Sequence, residues 1–113
     1  MNGEKAVALL SKKTDKVELI ARDNSDKFWC YKLKIGTRAE FAFDPNTKTK
    51  LVIRFDRAIP ELDGVSSTES LKGRSTSTAL VRVFSGGKNT AKFKANIETN
   101  SALKAVIEHL AQQ

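Results

Sequence analysis

Between Ser70 and Ile97 six basic side chains, Lys72, Arg74, Arg82, Lys88, Lys92 and Lys94, occur without a single acidic residue, in a chain whose formal net charge is +7. Ammonium and guanidinium groups at that density are suited to holding phosphate. Each phosphate neutralised on a nucleic acid releases condensed counterions, so a few contacts supply most of a non-specific affinity and make it steeply salt-dependent. A local positive field also steers an anionic partner and raises its concentration at the surface. The expectation is a surface for DNA or RNA built on these six residues, with hydroxyls of the 66–78 stretch donating to phosphate oxygens beside Lys72 and Arg74. Base stacking would need exposed aromatics, and Phe28 and Phe84 are the two whose alternation points off the main core face. The competing expectation is that lysines on a solvated strand face keep the chain soluble and guard a sheet edge.

Catalytic chemistry finds less to work with. Gly86-Gly87-Lys88-Asn89-Thr90 has the glycines and lysine of a phosphate-binding P-loop, but Arg82 stands where the earlier glycine belongs and Asn89 where Ser or Thr belongs. A strand pattern follows it instead of a helix, so it reads as a turn. Cys30 and His109 are the only residues of their types, so a thiol mechanism would have to bring them together across the fold and a Cys/His zinc site lacks ligands. Cys30 is expected to pack as a small buried hydrophobe, and His109 to complement the C-terminal end of a helix dipole. Asp56, Glu61 and Asp63 are the kind of groups that hold magnesium in nucleases. No Asp or Glu stands two residues before a lysine, however, which removes the carboxylate-x-lysine strand of one large nuclease class. The reading is a non-enzymatic domain with no catalytic residue, no metal site and no cofactor.

Protein interaction is the alternative. An exposed sheet edge or sheet face would pair with a partner, including a second copy of the chain, and Arg54, Phe55 and Arg57 would lie on such a strand. A small ligand held between the sheet and the 59–78 stretch is a third class. The apolar run Ala6-Val7-Ala8-Leu9-Leu10 follows Glu4 and is too short for a secretory or membrane-spanning segment. A lone cysteine fits a reducing compartment, so a cytoplasmic protein without membrane contact is expected.

The elements that carry these groups follow from periodicity. At 113 residues, 40% apolar and 29% charged, the chain suits a single domain over 1–113 with its own core. Asn2 caps a short helix through Ala6, Leu9 and Leu10. Strands are expected at Val17–Arg22, Phe28–Ile35, Arg38–Phe43 and Leu51–Asp56, turned by a two-residue type II′ turn at Gly36-Thr37 and a type I turn at Asp44-Pro45-Asn46-Thr47. Periodicity vanishes between Ile59 and Thr78, where Ser66-Ser67-Thr68 and Ser75-Thr76-Ser77-Thr78 accumulate; that length is either a functional loop or the cover of a hidden element. Ala79–Phe84 and Ala91–Ile97 read as a second hairpin, and Thr99, Asn100 or Ser101 caps a helix whose Leu103, Val106, Ile107 and Leu110 form one stripe. The sum is an α+β fold: a mostly antiparallel sheet of five to six strands, with an N-terminal and a C-terminal helix packed on one face.

Overall fold

The computed structural model describes residues 1–23, 27–71, 83–86 and 90–112. The described elements, in chain order, are α1 (Gly3–Ser11), β1 (Val17–Arg22), β2 (Trp29–Leu33), β3 (Glu40–Phe43), β4 (Leu51–Phe55), β5 (Val65–Ser70), β6 (Phe93–Ile97) and α2 (Asn100–Ala111). The strands form one six-stranded sheet in the order β1-β2-β3-β4-β6-β5, antiparallel at every pairing. The expected α+β class holds. Both helices cover the same face: Ala6 and Leu10 of α1 and Leu103, Val106, Ile107 and Leu110 of α2 join one buried cluster with Tyr31, Phe41, Phe43, Ile53, Phe55 and Ile97. We call this the inner face and its opposite the outer face.

The inner face is built on period-two alternation, which sends every second side chain of a strand to the same side. Its centre is a run of rings on neighbouring strands. Tyr31 stacks on Phe41 and Phe43 at 5.8 and 5.6 Å, and Phe41 meets Phe55 at 6.1 Å. Contacts of this kind add to the large area each ring buries.

Helix ends are closed by specific groups. The Asn2 side chain accepts from Lys5 N at 2.9 Å, and of the three cap candidates for α2 it is Thr99 that accepts from Ala102 N, at 3.1 Å. The C-terminal end of α2 is closed from outside the helix, because Thr37 donates both its backbone N–H (3.1 Å) and its hydroxyl (3.0 Å) to the Leu110 carbonyl. That docking explains Gly36, whose φ is +64° and where a Cβ would run into the Ala111 carbonyl. Lys16 and Glu108 add an ion pair between the start of β1 and α2.

Three local expectations need correction, and the two alternatives for the 59–78 stretch are decided in favour of a hidden element. The Val17–Arg22 strand does not alternate throughout: its register shifts between Leu19 and Ala21, so Leu19 joins the inner cluster while Ile20 and Ala21 pack on the outer one. The Gly36-Thr37 turn exists, with Arg38 N bonded to Ile35 O, but the strands close only at Leu33 and Ala39, and Ile35 is 45% exposed instead of inward. The 59–78 stretch hides β5, whose Ser/Thr-rich Val65–Ser70 lacks a strand's usual apolar alternation and is held by pairing with β6. Finally, β6 forms no hairpin with Ala79–Phe84. It inserts between β4 and β5, and Val83 and Phe84 belong to no strand; Ala79–Arg82 lie outside the described residues.

Candidate nucleic-acid interface

The outer face is divided into an apolar and a polar half. On the β1–β3 side Phe28, Cys30 and Ala42 are sealed by Val83, Phe84 and Ala91 in a second buried cluster. On the β4–β6–β5 side the register sets out a row of charge: Ala42 lies opposite Arg54, Arg54 opposite Lys94, and Lys94 opposite Glu69. The neighbouring row is Val52, Asn96 and Ser66, with Asn96 Nδ2 donating to Ser66 Oγ at 3.3 Å. This half is polar because the strand alternation that buries Ile53, Phe55, Ala95 and Ile97 inward turns Arg54, Lys94 and Asn96 outward.

Of the six basic residues singled out from the sequence, Lys72, Arg74, Arg82 and Lys88 lie outside the described residues. The other two differ from each other. Lys92 is exposed, and its backbone is pinned on both sides, N–H to the Phe55 carbonyl at 2.9 Å and carbonyl to the Leu71 N–H at 2.7 Å. Lys94 is half-buried with its Nζ 3.5 Å from Glu69 Oε2, so part of its charge is already answered. Phe28 and Phe84, the two aromatics expected to be free for stacking, are 5% and 3% exposed in the second cluster and present no face to a base.

Arg54 was not among the expected phosphate contacts. It is half-buried, its guanidinium carbon lies 5.2 Å from the centre of the Phe28 ring, and one nitrogen donates a long 3.4 Å bond to the Val52 carbonyl. Burial lowers its pKa from the ordinary value, against the opposing field of Asp44. The expected assembly strand carrying Arg54, Phe55 and Arg57 is not an edge: β4 is hydrogen-bonded on both sides, Phe55 is buried, and Arg57 is bound to Asp56 through two nitrogens at 3.0 and 3.3 Å.

The groups weighed for catalysis are kept apart. Cys30 faces the outer cluster whereas His109 stands on α2 beyond the inner face, so the sheet separates them. Burial, reinforced by the fields of Glu40 and Asp56, pushes the Cys30 thiol far above its ordinary range, which keeps it protonated and unreactive. Asp56 is engaged by Arg57. Glu61 and Asp63 line an open pocket of about 580 Å³ with Leu62, Val65, Ser66 and neighbours. Among the described residues no three His, Cys, Asp or Glu side chains gather as metal ligands.

Sequence reasoning also missed Glu40. It is 6% exposed, accepts from Ser85 N at 2.8 Å and from the Ser85 hydroxyl, and receives the Cys30 thiol at 4.0 Å. The signal was present in the alternation that puts Phe41 and Phe43 inward and so turns Glu40 outward. What the sequence could not show is that residues 83–86 fold over it.

Two further surfaces complete the picture. Trp29, half-buried under Arg22 at 4.2 Å, lies between an open pocket of about 320 Å³ beside Pro45 and a groove of about 360 Å³ lined by Val7, Leu19 and Tyr31. Both edge strands carry a register irregularity, at Leu19/Ala21 in β1 and at Ser66/Glu69 in β5, where Ser67 has φ +53°. Bulges of this kind blunt an edge against pairing with another chain.

Comparisons of this chain with protein-family models, curated proteins and solved structures found no match. Among the described residues, no helix is long and apolar enough to cross a membrane.

Proposed function

We propose that this chain is a small, non-enzymatic cytoplasmic domain that binds nucleic acid through phosphate contacts on the polar half of its outer face. The observation that supports this reading is the pairing of Arg54 directly opposite Lys94 on adjacent strands. Like charges facing each other across a sheet repel, and in a protein with no anionic partner that placement is a net cost. Glu69 offsets one of the two cations, which leaves the row with an uncompensated positive charge. Lys92, exposed just before β6 and two residues from Lys94, extends it, while Lys72, Arg74, Arg82 and Lys88, the other expected contacts, lie outside the described residues. With Phe28 and Phe84 buried, the reading is of backbone binding without base stacking, hence of little sequence preference.

The test is fluorescence anisotropy with labelled mixed-sequence single-stranded DNA, duplex DNA and RNA at roughly 50 and roughly 200 mM salt. Association at the lower salt and a steep loss at the higher are expected. The double charge reversal Lys92→Glu, Lys94→Glu should weaken binding and lower the salt slope by about one per lost phosphate contact. No association at low salt, or salt-insensitive binding, ends the reading.

A protein-docking module is the second reading, and the groove beside Trp29 favours it. Edge-to-edge homodimerisation is the weakest version of it, given the irregularities in both β1 and β5. Sedimentation that stays monomeric as concentration rises would leave only a heterologous partner for the groove.

A further inference from the structure

Arg54 is a half-buried cation whose surroundings suit a ligand of definite chemistry. A guanidinium carries five N–H donors, and among the described residues the single protein acceptor here is the Val52 carbonyl at 3.4 Å. Among the described residues no carboxylate forms an ion pair with it; Asp44 acts only through its field. Withdrawing a cation from water without such a partner is costly. The Phe28 ring, 5.2 Å away, recovers part of that cost through its π face but accepts no hydrogen bond in the plane of the fork.

Beside it lies an open pocket of about 270 Å³ lined by Phe28, Asp44, Thr47, Lys50, Val52 and Arg54. Two cations and one carboxylate leave the lining net positive. Drug-sized ligands occupy pockets of roughly 300–1,000 Å³, so this one suits a single oxyanion group. A planar fork meets two oxygens of one such group at once, and a nearby ammonium adds a point charge, which is the recurrent arrangement for phosphate.

We propose that Arg54 and Lys50 form a phosphate-binding pocket, Arg54 engaging two phosphate oxygens and Lys50 neutralising the remaining charge. The pocket deepens the nucleic-acid reading if the phosphate is a phosphodiester of a strand, and rests on that reading only in this respect. A phosphomonoester on a small molecule offers the same chemistry.

The two sources are separated by nuclear magnetic resonance on the full chain, with inorganic phosphate as one probe and a short single-stranded oligonucleotide as the other, and sodium chloride as the ionic-strength control. Inorganic phosphate should cause saturable shifts at the Arg54 Nε–H and at the Thr47 and Lys50 amides that chloride does not reproduce. Arg54→Lys keeps the charge but loses the fork, and should weaken phosphate about tenfold. Should that variant fail to fold, Lys50→Gln alters an exposed side chain and should still weaken binding several-fold. Absence of saturable shifts in the native chain, or equal shifts in native and variant proteins, overturns the pocket whatever the oligonucleotide does. Phosphate shifts that the oligonucleotide reproduces and competes for support the pocket and identify its ligand as a phosphodiester. Phosphate shifts without oligonucleotide binding support the pocket as a site for a small phosphorylated ligand, while ending the nucleic-acid reading.

Discussion

The two faces of this sheet are made from the same strands and are finished in different ways. Inward, two helices and five strands contribute buried side chains to a continuous apolar layer that includes Phe41, Phe43, Ile53 and Leu103, each at most 1% exposed, and Val65 of β5 packs against it. Outward, the cover among the described residues is Val83, Phe84 and Ala91, and beyond it stand Arg54, Lys94, Glu69 and Asn96 in a polar array. The inner face needs nothing beyond packing to explain it. On the outer face a like-charge pair and an incompletely satisfied guanidinium reduce stability without an evident structural return, which is where a binding role is to be sought.

Truncating each face tests the contrast at its strongest. Phe41→Ala removes a ring stacked on Tyr31 and touching Phe55, and should cost about 3–5 kcal/mol in chemical denaturation. Phe84→Ala should cost less, because the cluster it belongs to is smaller. Equal losses would mean that the outer cover contributes as much as the helical one, and the asymmetry would fail as an argument for function.

A smaller effect probes how the outer cover is held. Glu40 is a buried carboxylate that accepts from the amide and hydroxyl of Ser85 as well as from the Cys30 thiol. Glu40→Ala strands that amide without an acceptor and should cost about 1–3 kcal/mol, whereas Glu40→Gln keeps one acceptor oxygen and should cost less. The specific readout is hydrogen exchange at Ser85 N–H, which should accelerate in both variants relative to amides of β2 and β3. Unchanged exchange at Ser85 would show that residues 83–86 are held by Val83 and Phe84 alone.

The same contrast explains what could be read from the residues alone. Every inner-face element was legible, because Trp29, Tyr31 and Leu33 or Phe41 and Phe43 repeat at period two and Leu103, Val106, Ile107 and Leu110 at the helical period. β5 was not, since Val65-Ser66-Ser67-Thr68-Glu69-Ser70 is an exposed edge whose pairing with β6 is a tertiary fact that leaves no apolar pattern. The misread hairpin has the same cause: Val83 and Phe84 look like strand residues because they are apolar, but they are apolar to cover Phe28 and Cys30. For the candidate site, charge and strand alternation pointed to Lys92 and Lys94 on the outward face. They could not reveal that Glu69 would answer Lys94 or that Arg54 would stand in register between Lys94 and Ala42, because both depend on strand order.

The smallest expected effect sets a second glutamate against Glu40. Glu108 pairs with Lys16 at the rim of the inner face, half-exposed, where solvent screens the interaction. The Lys16 ammonium holds the Glu108 carboxyl below its ordinary range chiefly through their hydrogen bond, and Glu108 raises Lys16 in return. A carboxylate with a depressed pKa in the folded chain stabilises it above the unfolded value of about 4.3 and loses that contribution as pH falls through the folded value. A lysine with a raised pKa contributes below its unfolded value of about 10.4 and loses that as pH rises through the folded one. The pair therefore acts across the neutral range and disappears at both ends. The difference in Tm between the native chain and Glu108→Gln should be small and positive near pH 7, shrink toward zero as Glu108 protonates, and diminish with added salt. A Tm difference that persists unchanged below the folded pKa of Glu108 would show that its side chain acts by packing beside Lys16 and not by charge.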